Sequence, residues 1–421
     1  MASGEKIKIA IIGGGLAGAT LMNALSSVKH THLDVDLFES APEFSERGAA
    51  VGIAQNGQRA MVEIGGAVAG ALERAGGVTM SSSRICLASG PSALSKVLDL
   101  APEKRGKVVH RAALLSELLK PIDPAKMHTN KKVVRIEELE SDRLLVHFED
   151  GSTFKVDAAI GADGVHGHVR EHVLGADHPA LKATFAGFWD SRSLVPMKKA
   201  KELLGEDKFE VQRQYGWIGD GGFFMHDVLD GEETVQCVVA GMADDWGENE
   251  WKRELNKDLL EEAVGKWTDT PIKSGMIQAM LENPDLKAFA EWHHKVDAPT
   301  YTKGPVCLMG DSAHSMTPWQ GSGAGQCIED TMILQTLLEQ VKYRKHLAAA
   351  FEAYDQVRRP RTQKIIESSH GTGVILCGRG PNTGLDLEEI QKVLGHRWDH
   401  IHSLDLEEHK RQALAALQAR I

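Results

Sequence analysis

The sequence lacks several features that would assign it to common protein classes. Its 421 residues include five cysteines, Cys86, Cys237, Cys307, Cys327 and Cys377, and no two of them form a C-x-x-C pair. This spacing excludes a cysteine-based zinc finger and is typical of buried free thiols in a reducing compartment. No apolar run reaches the roughly 18 residues of a membrane span, and too few residues precede the first strand for a signal peptide. We therefore expect a cytoplasmic protein.

Positive charge is also scarce. The chain has 48 basic and 59 acidic residues, a formal net charge of −11, and no basic run stands out. Such a chain is a poor nucleic-acid binder, and we expect no nucleic-acid partner. The 42% of hydrophobic and 25% of charged residues are ordinary for a globular protein and exclude general disorder. The length predicts about two or three domains.

A glycine-rich turn follows the first strand. The β-branched run KIKIAII leads into a G-x-G-x-x-G pattern formed by Gly13, Gly15 and Gly18, and a second strand ends at Glu39. The glycines permit a tight turn, close approach of the backbone to a pyrophosphate and close helix–strand packing. Glu39 lies 21 residues after Gly18, where a carboxylate can accept hydrogen bonds from both hydroxyls of a ribose. The pattern predicts a dinucleotide site without distinguishing NAD from FAD.

The rest of the chain predicts an α/β fold with an inserted sheet. Strand patterns at 132–160 include a hairpin turn at 149–152, and short apolar runs at 181–240 alternate with Gly and Asp turns, as in an antiparallel sheet. Long helical patterns follow at about 324–342 and 347–369. The predicted division is a nucleotide-binding domain in two parts, 1–180 and 296–370, an inserted substrate domain, 181–295, and a C-terminal helical region, 371–421.

Two further motifs each follow a strand: GADGVHGHVR from Gly161 and GDSAHSMTPWQGSGAGQ from Gly310. Together with the first glycine cluster, and in this order, they resemble the class A flavoprotein aromatic hydroxylases, which share the fold of para-hydroxybenzoate hydroxylase. His110-Arg111 ahead of a helix and the late segment 354–361 support the resemblance, which spans about residues 6–370. TPWQGSGAGQ is most similar to the salicylate hydroxylase group, notably its fungal members. The resemblance implies a Rossmann-type FAD-binding domain with an inserted antiparallel-sheet substrate domain and C-terminal helices.

The resemblance also implies which residues bind FAD. Glu39, with Ser40 beside it, would hold the adenosine ribose, and Arg111 would lie along the ribityl and pyrophosphate portion. Asp163 would serve both flavin binding and docking of the pyridine nucleotide, and Asp311 would bind the ribityl chain. The phosphate turn and the loop at the isoalloxazine ring complete the set with Gly13, Gly15, Leu16, Ala17, Gly18, Pro318, Gly321, Gly323, Ala324 and Gly325.

The isoalloxazine loop also has a physical interpretation of its own. Gly321, Gly323 and Gly325 let the backbone pass close to a flat ring, and the helix that follows directs the positive end of its dipole at the loop. Such an end would stabilise the negative charge of reduced flavin. The alternative is a glycine-rich turn that only caps the helix.

Two positions depart from the family pattern. Gly167 stands where the family usually has Ser, which would weaken a helix cap or a phosphate contact. Trp319 stands where many relatives have His, so a mechanism with a histidine base at this position cannot apply. Trp319 is either a residue that stacks on substrate or flavin, or a residue of the core.

The inserted sheet carries the candidate substrate-binding residues. An aromatic carboxylate needs a cation, for which Arg192 and Arg213 are the candidates, and Trp189, Phe224 and Trp319 would line the pocket. The alternatives are a solvated strand face for the arginines and a core position for the apolar residues.

Trp319, Gln320 and His226 are the candidate catalytic residues, although His226 lies in an apolar run where a buried, hydrogen-bonded histidine is the alternative. His396 and His400 would share a helix face, as zinc ligands do, but no H-E-x-x-H motif accompanies them and we expect no metal site.

The resemblance implies an FAD-dependent monooxygenase that uses O2 and NADH or NADPH to hydroxylate a small phenolic acid, with salicylate converted to catechol and CO2 as the leading reaction. Because the chain has no second G-x-G-x-x-G, the nicotinamide co-substrate would bind transiently. Three alternatives stay open: a related hydroxylase acting on another phenol, including oxidative dearomatisation, an NAD-linked dehydrogenase, and a catalytically silent flavin-binding protein. The oligomeric state is not predicted.

Overall fold

The computed structural model describes residues 6–26, 31–45, 50–80, 82–100, 106–140, 142–211, 213–229, 233–247 and 250–421. Its strands are β1 Ile7–Ile12, β2 Leu33–Phe38, β3 Ala50–Ile53, β4 Val78–Thr79, β5 Ser82–Leu87, β6 Lys96–Leu100, β7 Lys107–His110, β8 Met127–His128, β9 Val133–Glu138, β10 Leu144–Phe148, β11 Thr153–Val156, β12 Ala158–Gly161, β13 Thr184–Pro196, β14 Arg213–Gly219, β15 Gly222–Leu229, β16 Thr234–Met242, β17 Lys252–Glu254, β18 Lys287–His293, β19 Thr302–Lys303 and β20 Val306–Leu308. Its helices are α1 Leu16–Leu25, α2 Gln55–Ile64, α3 Gly66–Ala69, α4 Ala71–Arg74, α5 Arg111–Leu119, α6 Val169–Leu174, α7 Met197–Leu204, α8 Lys257–Val264, α9 Pro271–Leu281, α10 Asp311–His314, α11 Gly323–Leu338, α12 Leu347–Leu376, α13 Leu387–Leu394, α14 Asp399–His402 and α15 Leu406–Gln418.

A parallel sheet forms the first layer, in the order β19-β20-β12-β1-β2-β8, with β19 as an antiparallel edge. β1 pairs in parallel with β2 on one side and with β12 on the other, so the strand order reverses beside β1. Its Ile9, Ala10 and Ile11 are fully buried because the sheet packs against helices such as α1 and also against the antiparallel sheet β11-β10-β9, which explains the unbroken apolar run. Ligands of such sheets bind beyond the carboxyl ends of the strands at this reversal. The predicted α/β class is confirmed.

A larger mixed sheet forms the second layer, in the order β17-β18-β13-β16-β15-β14-β5-β6. It is antiparallel except for the β14–β5 pair. One face packs on α7, α8 and α9, and the other faces the parallel sheet and α12. The sheet draws β5 and β6 from before residue 106, which the predicted division had placed in the nucleotide-binding part. The glycine- and serine-rich sequence before residue 106 had concealed these strands.

Long helices connect the two layers. α11 lies against α1 and α2, and α12 runs for 30 residues, through Pro360, to Leu376 beside the mixed sheet. The segment 55–74, which sequence patterns left unassigned, contains α2, α3 and α4. No helix among the described residues combines the length and apolar composition needed to cross a membrane.

Candidate active site

A cavity of about 550 Å³ lies between the carboxyl edge of the parallel sheet and the mixed sheet. Its nucleotide end is lined by Gly15–Ala17, Arg111, Ala162, Gly164, Asp311 and residues 318–324. Its sheet end is lined by polar side chains of the mixed sheet, namely Arg84, Asp190, Arg192, Gln214, Asp227, Gln236 and Glu291. The loops after β1, β12 and β20 all reach this cavity, as parallel strands with a common carboxyl edge require.

The glycines of the first turn are dictated by close backbone contacts. Gly13 has φ +110°, and a Cβ added there would lie 2.2 Å from the carbonyl oxygen of Ala162. A Cβ at Gly18 would lie 1.9 Å from the carbonyl oxygen of Gly13. α1 begins directly after Gly15, so its first N–H groups, which have no partner inside the helix, lie at the cavity.

Glu39 fixes the same turn from the end of β2. Its Oε2 accepts a hydrogen bond from Gly14 N at 2.8 Å, while Oε1 accepts from Ala41 N at 2.7 Å and from Ser40 Oγ at 3.0 Å. Glu39 is half-buried and Ser40 is exposed, and neither lines the enclosed cavity. The carboxylate therefore sits beside the phosphate turn rather than inside the cavity.

Asp163 and Gly167 form one packed unit after β12. Asp163 Oδ2 accepts a hydrogen bond from Val169 N, at the start of α6, at 3.0 Å, and burial raises the pKa of Asp163 to about 6. A Cβ at Gly167 would lie 2.1 Å from the Asp163 carboxyl carbon. The departure from the family pattern at residue 167 therefore makes room for this carboxyl group, which itself binds the start of α6.

Arg170 joins two loops that are far apart in sequence. Its Nη1 donates to the carbonyl oxygens of Ser312 at 2.9 Å and Ala313 at 2.8 Å, and Nη2 donates to that of Ala180 at 2.7 Å. The guanidinium is almost fully buried. Sequence reasoning quoted this residue within its motif but gave it no role.

The loop 318–325 follows α10 and includes the first residues of α11. Gly321 has φ +60°, which favours glycine, and Pro318, Gly321, Gly323 and Ala324 line the cavity with the exposed Asp311. Gly325 does not, because it faces α2, where a Cβ would lie 3.3 Å from Asn56 Nδ2. The prediction for Gly325 is corrected, since its small size serves contact between two helices.

A group of buried charged residues fixes the segments on either side of this loop. We call it the anchor cluster, and it consists of Glu329, Asp330, Arg358, Arg361 and His314. Asp330 accepts hydrogen bonds from Gly310 N at 2.9 Å and Arg358 Nε at 2.8 Å, and its Oδ2 lies 2.6 Å from His314 Nε2. Glu329 accepts from Arg358 Nη1 at 2.6 Å and Arg361 Nε at 2.7 Å. Burial opposes ionisation, but Arg358 and Arg361 lower the pKa of Glu329 to about 2. The sequence analysis did not single out either acid.

The polar groups at the sheet end form a second set, which we call the cavity cluster (Asp190, Arg192, Asp227 and Glu291). Arg192 Nη2 donates to Asp190 Oδ2 at 3.0 Å. Asp227 accepts hydrogen bonds from two amides, Gln214 Nε2 at 2.7 Å and Gln236 Nε2 at 3.3 Å. Burial raises the pKa of Asp227 to about 6 despite these hydrogen bonds.

Trp319 connects the loop to the sheet. Its Nε1 donates to Glu291 Oε2 at 2.9 Å, and its ring packs against Phe188 and Phe223 with centroid distances of 5.0 and 5.6 Å. A Cβ at Gly373 of α12 would lie 2.6 Å from the indole, so α12 also encloses the ring. Burial raises the pKa of Glu291 well above its usual range, and the negative charge of the nearby Asp190 is the second cause.

Comparisons with known proteins agree on one family. An FAD binding domain family matches residues 124–369. The 6-methylsalicylate 1-monooxygenase of Aspergillus terreus is 33% identical over 98% of this chain and 93% of its own length, and a salicylate hydroxylase of Pseudomonas putida is 31% identical over 95% and 92%. A solved structure described as a salicylate hydroxylase substrate complex superposes with a TM-score of 0.82, at 25% identity, over 97% of this chain and 98% of that one.

The chain belongs to the class A FAD-dependent aromatic hydroxylases. It is therefore a monooxygenase with FAD as its cofactor, a small phenolic aromatic molecule as its substrate, and O2 and NAD(P)H as its co-substrates. The cavity of this hydroxylase fits FAD on two observations. The first turns of α1 and α11 both line it, as the negative pyrophosphate and the electron-rich edge of a flavin require, and Gly13 packs so closely on Ala162, a lining residue, that a side chain at residue 13 would displace this wall of the cavity.

Four predicted site residues of the hydroxylase lie on the face of the mixed sheet that is turned away from the cavity. Side chains alternate along a strand, and the cavity receives Asp190 and Arg192 from β13, Gln214 from β14, and Met225 and Asp227 from β15. The opposite face therefore receives the predicted residues, namely Trp189, Arg213, Phe224 and His226. These four predictions are corrected.

The partners of the four residues account for their positions. Trp189 and Phe224 pack in the core beneath α8 and α9, and Arg213 Nε donates to Ser82 Oγ at 2.6 Å. His226 stacks on Tyr215 at 5.0 Å, and burial lowers its pKa to about 3. Both sheet faces are buried, so apolar alternation did not distinguish them.

The structure also locates Gln320 and the histidines that were weighed as zinc ligands. Gln320 Nε2 donates to Ser368 Oγ at 3.1 Å and to the carbonyl oxygen of Arg397 at 2.8 Å, so its amide holds the loop to neighbouring segments. This position does not support a catalytic role for the Gln320 side chain. Among the described residues of the hydroxylase, no group of three or more His, Cys, Asp or Glu side chains is arranged to hold a metal ion, and His396 pairs with Asp399 at 3.0 Å on the surface.

Proposed function

We propose that this hydroxylase converts salicylate, or a closely related 2-hydroxybenzoate, to a catechol with loss of CO2. The observation that carries the proposal is the continuous cavity that joins the nucleotide end to the guanidinium of Arg192. Relatives named salicylate hydroxylase and 6-methylsalicylate 1-monooxygenase support the same substrate class.

Arg192 is the proposed partner of the substrate carboxylate. It lines the cavity and donates hydrogen bonds to Asp190 Oδ2 at 3.0 Å and to the carbonyl oxygen of Ala50 at 3.4 Å, which engage two of the five N–H donors of a guanidinium. Asp190 raises the pKa of Arg192, which keeps the guanidinium cationic. Arg84 also lines the cavity, but Asp99 accepts two of its hydrogen bonds, at 2.7 and 2.9 Å. Arg192 is therefore the better candidate.

The proposed FAD-binding residues are those that surround the nucleotide end. Glu39 would accept from the adenosine ribose, the N-terminus of α1 would face the pyrophosphate, and Arg111 and Asp311 would contact the cofactor where they line the cavity. When bound, FAD supplies hydride transfer from NAD(P)H and the activation of O2. The chain supplies orientation and a wall against water, to which Trp319 contributes an almost fully buried ring.

The overall reaction balances with these components. Salicylate, O2, NAD(P)H and two protons give catechol, CO2, water and NAD(P)+. The C–CO2 bond breaks, a C–O bond forms at the same carbon, and NAD(P)H supplies the two electrons that reduce the second oxygen atom to water. No metal is needed for this balance.

The test uses the purified, FAD-loaded protein and a panel of phenols. We expect salicylate to stimulate NAD(P)H oxidation and to yield catechol, detected by chromatography. Arg192→Met should raise the KM for salicylate by about 10- to 100-fold, the equivalent of one charge-assisted hydrogen bond, and should leave the KM for a neutral phenol unchanged. Arg213→Met is the matched control, because Arg213 lies on the opposite sheet face.

Three results would contradict parts of the proposal. Hydroxylation of neutral phenols alone, or dearomatised products, would overturn the carboxylate assignment and leave the monooxygenase assignment standing. Peroxide without any hydroxylated product would overturn the substrate class. Retention of full FAD by the Glu39→Ala/Asp311→Ala double variant would overturn the proposed cofactor contacts.

The location of the protein is part of the proposal as well. All five cysteines are buried free thiols, which supports the predicted cytoplasmic compartment. Fractionation of the producing cell with an antibody against this chain tests it, and recovery from a secreted fraction would contradict it.

A further inference from the structure

Glu291 lines the cavity and has no role in the proposed function so far. It lies on β18, a strand of the mixed sheet that includes apolar residues such as Ala288 and Ala290, and its side chain is buried with a residue exposure of 7%. A buried carboxyl group costs free energy unless its partners compensate. Its retention in this strand therefore calls for a functional explanation.

Only one of the two carboxyl oxygens of Glu291 is engaged by the protein. Oε2 accepts the hydrogen bond from Trp319 Nε1 at 2.9 Å. Oε1 is buried and has no hydrogen-bond partner among the residues that the structure describes. A buried acceptor without a partner is destabilising, and a ligand in the cavity is in a position to supply that hydrogen bond.

Trp319 holds the carboxyl group in one orientation. Phe188, Phe223 and Gly373 enclose the indole ring, as described above, so the N–H direction is fixed by packing. The same residue belongs to the loop 318–325, which lines the nucleotide end of the cavity. Glu291 is thereby placed between that loop and Arg192.

The groups that face Glu291 come from several elements. Burial and then Asp190 of β13 raise its pKa, while Trp319 and Arg192 lower it. Burial raises the pKa of Cys377, just after α12, and the ionised Glu291 raises it further. Asp227 of β15 lines the same cavity, but both of its oxygens accept amide hydrogen bonds. Asp190 pairs with Arg192 and is partly exposed, so among the described residues of the cavity cluster Glu291 is the acid with a buried oxygen that has no hydrogen-bond partner.

We propose that Glu291 binds the phenolic hydroxyl of the substrate through Oε1 and accepts its proton, with Trp319 as the positioning residue. The proposal rests on the proposed function, because it requires a phenolic substrate in this cavity. The phenolic O–H bond breaks, an O–H bond forms at Oε1, and the electron pair stays on the phenolate oxygen. The proton returns to the product after oxygen transfer, so the step needs no further reactant.

The physical reason is a match in acidity. A phenol has a pKa near 10, about six units above an ordinary Glu, and the raised pKa of Glu291 narrows that gap. A phenolate has more electron density in its ring than a phenol and reacts faster with an electrophilic oxygen. General bases of this kind contribute about 10²- to 10⁴-fold to rate.

The experiment compares wild type, Glu291→Gln and Trp319→Phe as FAD-loaded proteins with matched far-UV spectra. Glutamine keeps an acceptor for Trp319 but cannot take a proton. We expect Glu291→Gln to lower kcat by about 10²- to 10⁴-fold and to remove the rise of kcat/KM with pH. Trp319→Phe should keep that rise but displace it to higher pH, because the indole N–H stabilises the ionised carboxyl group.

A binding measurement gives a second readout that does not depend on turnover. By calorimetry, Glu291→Gln should bind salicylate about tenfold more weakly than wild type, while 2-methoxybenzoate, which has no phenolic proton, should bind both proteins equally. The proposal is overturned if Glu291→Gln keeps kcat within about threefold and retains the pH dependence, or if both ligands respond alike. A wild-type protein that hydroxylates no phenol overturns the proposed function instead.

Discussion

The anchor cluster and the cavity cluster bury similar acids in opposite ways. In the anchor cluster, every carboxylate oxygen of Glu329 and Asp330 has a cationic or N–H partner, and the pKa values of both acids are lowered. In the cavity cluster, Asp227 is held by neutral amides, Glu291 by one indole, and both pKa values are raised. All four acids are buried, with residue exposures of 7% or less, so partners rather than burial decide the sign of the shift.

The contrast separates a structural role from a functional one. In the anchor cluster, a complete set of ion pairs offsets the free-energy cost of burying the charges. The cluster also holds Gly310 and the start of α11 in place. The cavity cluster leaves Glu291 Oε1 open beside the loop 318–325. Buried acids with raised pKa values in a cavity are typical of catalytic sites.

The largest effect is expected from breaking the anchor cluster. Arg358→Met leaves Glu329 and Asp330 buried without their shared cation, so the free energy of unfolding should fall by about 3–5 kcal/mol, as measured by urea denaturation. The control is Arg359→Met, whose half-buried pair with Asp355 should cost about 1 kcal/mol or less. Equal losses in both variants would remove the distinction on which the comparison depends.

A smaller effect is expected when a single acid is neutralised in each cluster. Glu329→Gln should lower the free energy of unfolding at pH 7 by about 3 kcal/mol, because Arg358 and Arg361 lose a buried counter-charge. Glu291→Gln should change it by less than about 1 kcal/mol, since its charged form is already disfavoured. Thermal and urea unfolding of the two variants side by side measures the difference, and the reverse order would show that the clusters have been assigned the wrong roles.

The pH dependence of that difference has a definite sign. The pKa of Glu329 is lowered to about 2 in the folded protein, against about 4.3 in an unfolded chain. Its stabilising contribution is therefore complete above about pH 5 and is lost as the pH falls toward 2. The stability gap between wild type and Glu329→Gln should close over that window, and a gap that stays constant from pH 7 to pH 3 would contradict the lowered pKa.

The smallest effect is expected for a surface pair of a histidine and an aspartate outside both clusters. His396 is exposed and lies 3.0 Å from Asp399, and such surface pairs contribute little. His396→Ala should change the unfolding free energy by less than about 0.5 kcal/mol and should leave the zinc content of the purified protein unchanged. A larger loss, or a loss of bound zinc, would show that the surface pair has a role that the comparison does not include.

Local sequence patterns predicted the first strand–turn–helix unit of the parallel sheet. Gly13 and Gly18 are required by contacts within one strand–turn–helix unit, so their spacing is sufficient to identify the turn. Glu39 follows at the end of the adjacent strand, within the same unit. The buried apolar run of β1 identified the parallel sheet for a similar reason.

The sheet end was harder because both faces of the mixed sheet are buried. Phe188 and Trp189 are neighbours on opposite faces, and each is almost fully buried. The hydrophobic pattern therefore did not indicate on which face of the sheet His226 and Arg213 lie. A usable signal was the presence of acids inside buried strands, which marks Asp227 and Glu291, two of the acids that the sequence analysis did not single out.

The single guanidinium of Arg170 links carbonyl groups that lie more than 130 residues apart in the chain. Contacts of such long sequence separation form slowly, because large loops must close before the contact contributes any free energy. The pocket is thus incomplete until Ser312 and Ala313 have been synthesised. Chains truncated before residue 312 should therefore contain no competent flavin pocket.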